Sequence, residues 1–190
     1  MNHNENIKKC HKAAIDNGWW DECPPNGPLR APWIADKVDL IASEGAEAIE
    51  AIRSNRYADV KRFNENIEEF KSPEYFHNHK IFCFQSFIKD TFEDEITDIY
   101  IRACDLMGFY DQQYINYEFK DDMPTRLMIR IIRYVALEYS LKPQMDYLTF
   151  CRIMFFCERI AHNEGFNLQT HIDMKLQYNS TRGKKHGKEF

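Results

Sequence analysis

Apolar residues recur along this chain at three- and four-residue intervals, and no stretch of any length alternates with the period of a strand. Between Lys37 and Arg53, Val38, Ile41, Gly45, Ala48, Ile49 and Ile52 keep a helical rhythm. Phe92, Ile96, Ile99, Ala103 and Leu106 keep it between Phe92 and Gly108. A short helix is expected from about Asn4 to Asn17, stopped by Gly18, and the first of these two stripes from about Trp33 to Arg53. Val60, Phe63, Ile67 and Phe70 predict an extra helix over Tyr57 to Lys71, closed by Ser72 and Pro73. His77 and His79 then fall in a surface loop. Lys80 to Met107 reads as one long helix ended by Gly108. Pro124 opens another, carrying Leu127, Met128, Ile131 and Val135 before Pro143 stops it. Gln144 to Glu164 reads as a further helix ended by Gly165, and its Phe150, Met154, Phe155 and Phe156 suit a core or a subunit interface. The expected fold class is all-α, in one domain over 1–190.

Beside the two best stripes stand acids three residues apart: Glu44, Glu47 and Glu50 on the first, Glu95 and Asp98 on the second. A residue three along a helix lies about 60° around and about 4.5 Å up, so each pair presents two carboxylates to one spot. Packing the two helices together would gather Glu44, Glu47, Glu95 and Asp98. Carboxylates about 4 Å apart near a surface repel by roughly 4 kcal/mol per pair, so a cation or a retained proton must offset them. An all-oxygen ligand set suits Mg²⁺, with Mn²⁺ as the alternative, and Mg²⁺ commonly completes its shell with substrate phosphates. Acids at this spacing also occur on ordinary solvated helix faces, and the residues alone leave both readings open. The small neighbours Ser43, Gly45, Ala46 and Ala48 leave room for a ligand.

Composition narrows the classes. With 190 residues, 44% of them hydrophobic, the chain can bury one good core. A net charge of -5 argues against a general nucleic-acid binder. Six cysteines without a CxxC pair fit reduced, buried thiols better than a disulfide framework or a zinc site. No signal-peptide core and no run of membrane-spanning length is evident, so a cytoplasmic protein with no membrane partner is expected.

Two further stretches carry candidate chemistry. Trp19 and Trp20 precede a loop with Pro24, Pro25, Gly27, Pro28 and Pro32. They read either as a local hydrophobic anchor or as a surface on which a nucleobase stacks. Near the other end, Lys175, Asn179 and Arg182 fall at i, i+4 and i+7 with Tyr178 beside them, and Lys184, Lys185, His186 and Lys188 follow. Two cations and a directional amide on one face make a phosphate clamp. Such a basic stretch is also a common frayed end. Arg53, Arg56, Lys61 and Arg62 read as solvated rather than substrate-facing.

The pattern ExxE followed downstream by ExxD resembles the MazG-like all-α nucleoside triphosphate pyrophosphohydrolases. LIASEGAEAIEAIR is similar to their first acidic helix and FEDEITDIYIRACDLMG to their second, with Gly18-Trp19-Trp20 and KLQYNSTRGKKHGK agreeing at the flanks. The resemblance spans most of the chain. It implies a helical bundle built around the two acidic helices, with an inserted helical segment at about 54–79 and a basic tail at 175–190. It further implies a Mg²⁺-dependent hydrolase that takes a nucleoside triphosphate to the monophosphate and pyrophosphate. Glu44, Glu47, Glu95 and Asp98 would hold the metal, and Glu47 or Glu50 would act as general base. Trp19, Trp20, Lys175, Tyr178, Asn179, Arg182 and Lys185 would bind the substrate. Cleavage at the α-phosphorus and assembly as a homodimer or homotetramer are likewise implied by the resemblance, not by residue types.

Two other classes compete. A di-iron carboxylate bundle wants Glu-x-x-His twice, whereas Glu158 and His162 are four apart and occur once. A catalytically silent helical module that binds nucleotide or a protein partner would share the scaffold. The presence of all four acids disfavours it.

Overall fold

The computed structural model describes residues 1–69, 73–116, 123–141 and 147–187. Every longer regular element among them is an α-helix: α1 (His3–Asp16), α2 (Arg30–Arg53), α3 (Val60–Glu69), α4 (Pro73–Phe87), α5 (Phe92–Phe109), α6 (Thr125–Leu141), α7 (Tyr147–Glu164) and α8 (Leu168–Ser180). A short 3-10 turn, Lys184–Gly187, follows. The all-α expectation holds for the described residues. None of their helices is long and apolar enough to cross a membrane.

α5 is the central element. Ile96, Ile99, Tyr100, Ala103 and Met107 have no exposed surface, and the helix packs against α1, α2, α7 and α8. α2 packs on both α5 and α6, and its Val38, Ile41, Ala48 and Ala51 are fully buried. Each fully buried Val or Ile contributes roughly 1.5–3 kcal/mol, so the helices that hold the acids are firmly anchored. α3 and α4 form a smaller cluster with α8, built on Phe63, Cys83, Phe84, Ile88 and Tyr178.

Three expectations need correction. The long helix over Lys80 to Met107 is two helices, because the chain turns at Asp90 (φ 60°) and restarts at Thr91. Thr91 Oγ1 donates to the Ile88 carbonyl at 2.6 Å and accepts from the Asp94 amide at 3.4 Å. Thr followed by acids in the first turn is a helix-start signal, and here it wins over apolar continuity. Gly108 does not end α5, which runs to Phe109. It lies where α1 crosses, and a Cβ there would overlap the His11 side chain, so the glycine serves close approach. His77 and His79 sit on α4, not in a loop, and the His79 ring Nε2 lies 3.0 Å from the Asn66 carbonyl. Phe70, Lys71, Ser72, Pro143, Gln144 and Lys188 lie outside the described residues, as does the His186 side chain.

Candidate metal and phosphate cleft

α2, α5 and α8, with the end of α1, enclose a cleft of about 750 Å³. Helical spacing delivers its walls. Lys37, Leu40, Glu44 and Glu47 form one stripe of α2, and Glu95, Asp98, Arg102 and Asp105 form one stripe of α5. Asn179 and Arg182, from α8 and just beyond it, close the opening with Lys175, and Trp19 stands at the α1 end.

Glu44, Glu47 and Glu95 each bring a carboxylate oxygen within 4.8 Å of the others. Glu44 and Glu95 are 7% and 4% exposed, whereas Glu47 faces solvent and receives the Ser43 hydroxyl at 3.3 Å. Asp98 lines the same cleft, but its carboxylate is held by Lys175 Nζ at 2.7 Å. That ammonium also donates to both oxygens of Asp94 at 2.9 Å. Lys175 is therefore a buried link between two acids of α5 rather than a free clamp.

The electrostatics follow from burial. Desolvation, then the Asp98 charge and the Glu44 carboxyl, push Glu95 up to about 9. Burial also raises Glu44, against the pull of Arg102, whose Nε donates to Glu44 Oε1 at 2.9 Å. Burial thus favours the protonated form of Glu95 beside Glu44 at neutral pH. Burial raises Asp94 to about 7 in spite of Lys175. For Lys175 itself burial works downward, but Asp98 and Asp94 outweigh it and its pKa is raised.

The other candidates divide. Trp19 lines the cleft. Trp20 does not: its ring stacks on Phe109 at 4.2 Å and its Nε1–H donates to Asp105 at 2.9 Å, which makes it an anchor of the packing. Tyr178 points away from the acids, stacked on Phe84 at 4.3 Å with its hydroxyl accepting from Gln85 at 3.2 Å. Lys185 is engaged by Glu22 at 2.6 Å, and its amide bonds to the Asn17 carbonyl at 2.8 Å. Glu50 is exposed, 2.8 Å from Arg53, and does not line the cleft. Asn179 keeps a buried Oδ1 with no partner among the described residues.

Several charged residues in and beside the cleft escaped the sequence reading, among them Arg102, Asp105, Lys37 and, behind the lining, Asp94. Arg102 and Asp105 continue the Glu95–Asp98 stripe, and Lys37 lies seven before Glu44, so periodicity carried the signal for all three. Lys37 Nζ donates to the Trp19 carbonyl at 3.0 Å and sits 4.3 Å from the Trp33 ring centroid. Asp94, in the first turn of α5, also accepts the Asp90 amide at 3.0 Å as part of the helix start at Thr91, but nothing local signals its pairing with Lys175.

No protein-family model, curated protein or solved structure matches the chain.

Proposed function

We propose that the cleft is the active site of a divalent-metal-dependent nucleoside triphosphate pyrophosphohydrolase of the MazG-like kind. The observation that carries this reading is the meeting of Glu44, Glu47 and Glu95 in one cleft with Asn179 and Arg182 opposite. Three carboxylate oxygens within 4.8 Å fit a hard cation such as Mg²⁺ or Mn²⁺, whose charge would replace the proton that burial favours on Glu95. Such an ion supplies charge neutralisation on the phosphate chain as the P–O bond breaks.

The chain's own residues do the rest. Arg102 and Lys175 hold Glu44 and Asp98 in place and keep the acidic wall from repelling an anionic substrate. Arg182 takes the outer phosphates, with Asn179 beside it in the cleft lining. Trp19, which lines the same cleft, is the candidate for contact with the base. Glu47, the exposed acid of the trio, would take a proton from an attacking water. Cleavage at the α-phosphorus rests on the resemblance of the two acidic motifs.

The test is a nucleotide panel incubated with Mg²⁺, with products separated. Monophosphate and pyrophosphate support the reading. Diphosphate and phosphate would indicate cleavage at the outer phosphate, and binding without turnover would leave a nucleotide-binding module.

A further inference from the structure

A second pocket opens between α3, α4 and α8, on a different face of α8 from the cleft. Helical spacing builds it. His77, Lys80, Ile81 and Phe84 fall at i, i+3, i+4 and i+7 along α4, and Met174, Gln177, Tyr178 and Thr181 repeat that spacing along α8 and its cap. Phe63 of α3 adds to the wall. The cavity measures about 190 Å³, and no residue that lines it also lines the acidic cleft.

The lining combines an apolar floor with one ammonium. Phe63, Phe84 and Tyr178 are buried, and the last two rings stack on each other at 4.3 Å. Lys80 is half-buried, and its Nζ donates to the side-chain carbonyl of Gln177. Among the described residues no Asp or Glu lines the pocket, and burial lowers the Lys80 pKa with no acid to offset it. The Ser180 and Thr181 hydroxyls already donate to the Gln177 and Tyr178 backbone carbonyls, each at 2.7 Å. Gln177, its side-chain carbonyl engaged, still has its amide N–H groups to give. Lys80 and Gln177 are thus adjacent donors matched to one carboxylate. A phosphate would bury more charge than one ammonium offsets, and an amine would meet Lys80 with like charge. An apolar cavity of about 150 Å³ accepts benzene, so the space here takes one ring with a small substituent.

We propose that this pocket binds a small aromatic carboxylate, its ring against Phe63, Phe84 and Tyr178 and its carboxylate between Lys80 Nζ and the Gln177 amide. Aromatic walls favour an aromatic guest through edge-to-face contact. The site stands apart from the reaction assigned to the cleft.

Benzoate titrated into the full chain carrying ¹³C-methyl methionine, in EDTA, reads the outcome. Met174 lines the pocket, and M174L identifies its resonance among the seven methionines. Its methyl signal should shift under the ring current and saturate with a Kd on the order of 1 mM. Benzyl alcohol, the same ring without the charge, should bind at least about fivefold more weakly, and acetate should leave the signal unmoved. K80M should weaken benzoate at least about fivefold and change benzyl alcohol by less than about twofold, so that the preference for the acid disappears. Lys80 makes no ion pair among the described residues, so the substitution retains the fold, which far-UV circular dichroism checks. The comparison of benzoate with benzyl alcohol needs no substitution at all. A Met174 signal unmoved by about 20 mM benzoate, an equal shift with acetate, benzyl alcohol bound as tightly as benzoate, or benzoate binding indifferent to K80M would each overturn the proposal.

Discussion

Replacing Glu95 by Gln should stabilise the cation-free protein, and by more as pH rises. Glu95 is 4% exposed and its carboxyl is pushed from the ordinary value of 4.5 up to about 9, chiefly by burial and then by Asp98. Below about pH 4.5 the folded and unfolded chains both hold the proton. Between there and about pH 9 only the folded chain does, so unfolding releases a proton and stability falls with rising pH. At 1.36 kcal/mol per pH unit, the loss between about pH 5.5 and pH 8 is about 3 kcal/mol. Gln keeps the shape of the protonated acid and can still donate to Glu44, but it has no proton to lose. Urea unfolding of both proteins in EDTA across this range should therefore show a gap that widens by about 3 kcal/mol in favour of E95Q. Saturating Mg²⁺ should flatten the pH dependence of the unsubstituted protein, because the cation takes the proton's place, and binding should release about one proton per ion. Parallel pH profiles for the two proteins in EDTA would refute the reasoning, since Glu95 would then not hold its proton in the folded chain.

Glu47→Gln should abolish turnover while changing stability by less than about 0.5 kcal/mol, because the side chain faces solvent. Full metal-dependent activity of that variant in the panel assay would remove Glu47 from the site. Arg182→Ala should raise KM with little change in kcat, and an unchanged KM would exclude the residue from phosphate binding. Lys175→Met should cost about 3–5 kcal/mol in urea unfolding, since it leaves Asp94 and Asp98 without their buried counter-charge. Adding Asp94→Asn should recover part of that loss, and a double variant no more stable than K175M would show that the pairing is not what the lysine supplies.

The chain's own periodicity determined that it is helical, where most of the helices run, and that α2 and α5 each present a row of carboxylates along one stripe. Those features are local, because a 3.6-residue repeat states which side chains share a face. What sits opposite that face is settled only when helices distant in the chain pack. Asp98 reads in the sequence as the equal of Glu95, yet α8 brings Lys175 within 2.7 Å of Asp98, while Glu95 keeps its proton beside Glu44. Tyr178 shares a helix with Lys175 and Asn179, but its ring lies on Phe84 of α4, a partner that no spacing within α8 could name. Trp20 is drawn inward by Phe109 and Asp105, whereas the adjacent Trp19 is left at the cleft. Burial and counter-charge depend on neighbours 80 or so positions away in the chain. The tertiary structure alone therefore decided which acids lie together in the cleft and which are held by a basic partner.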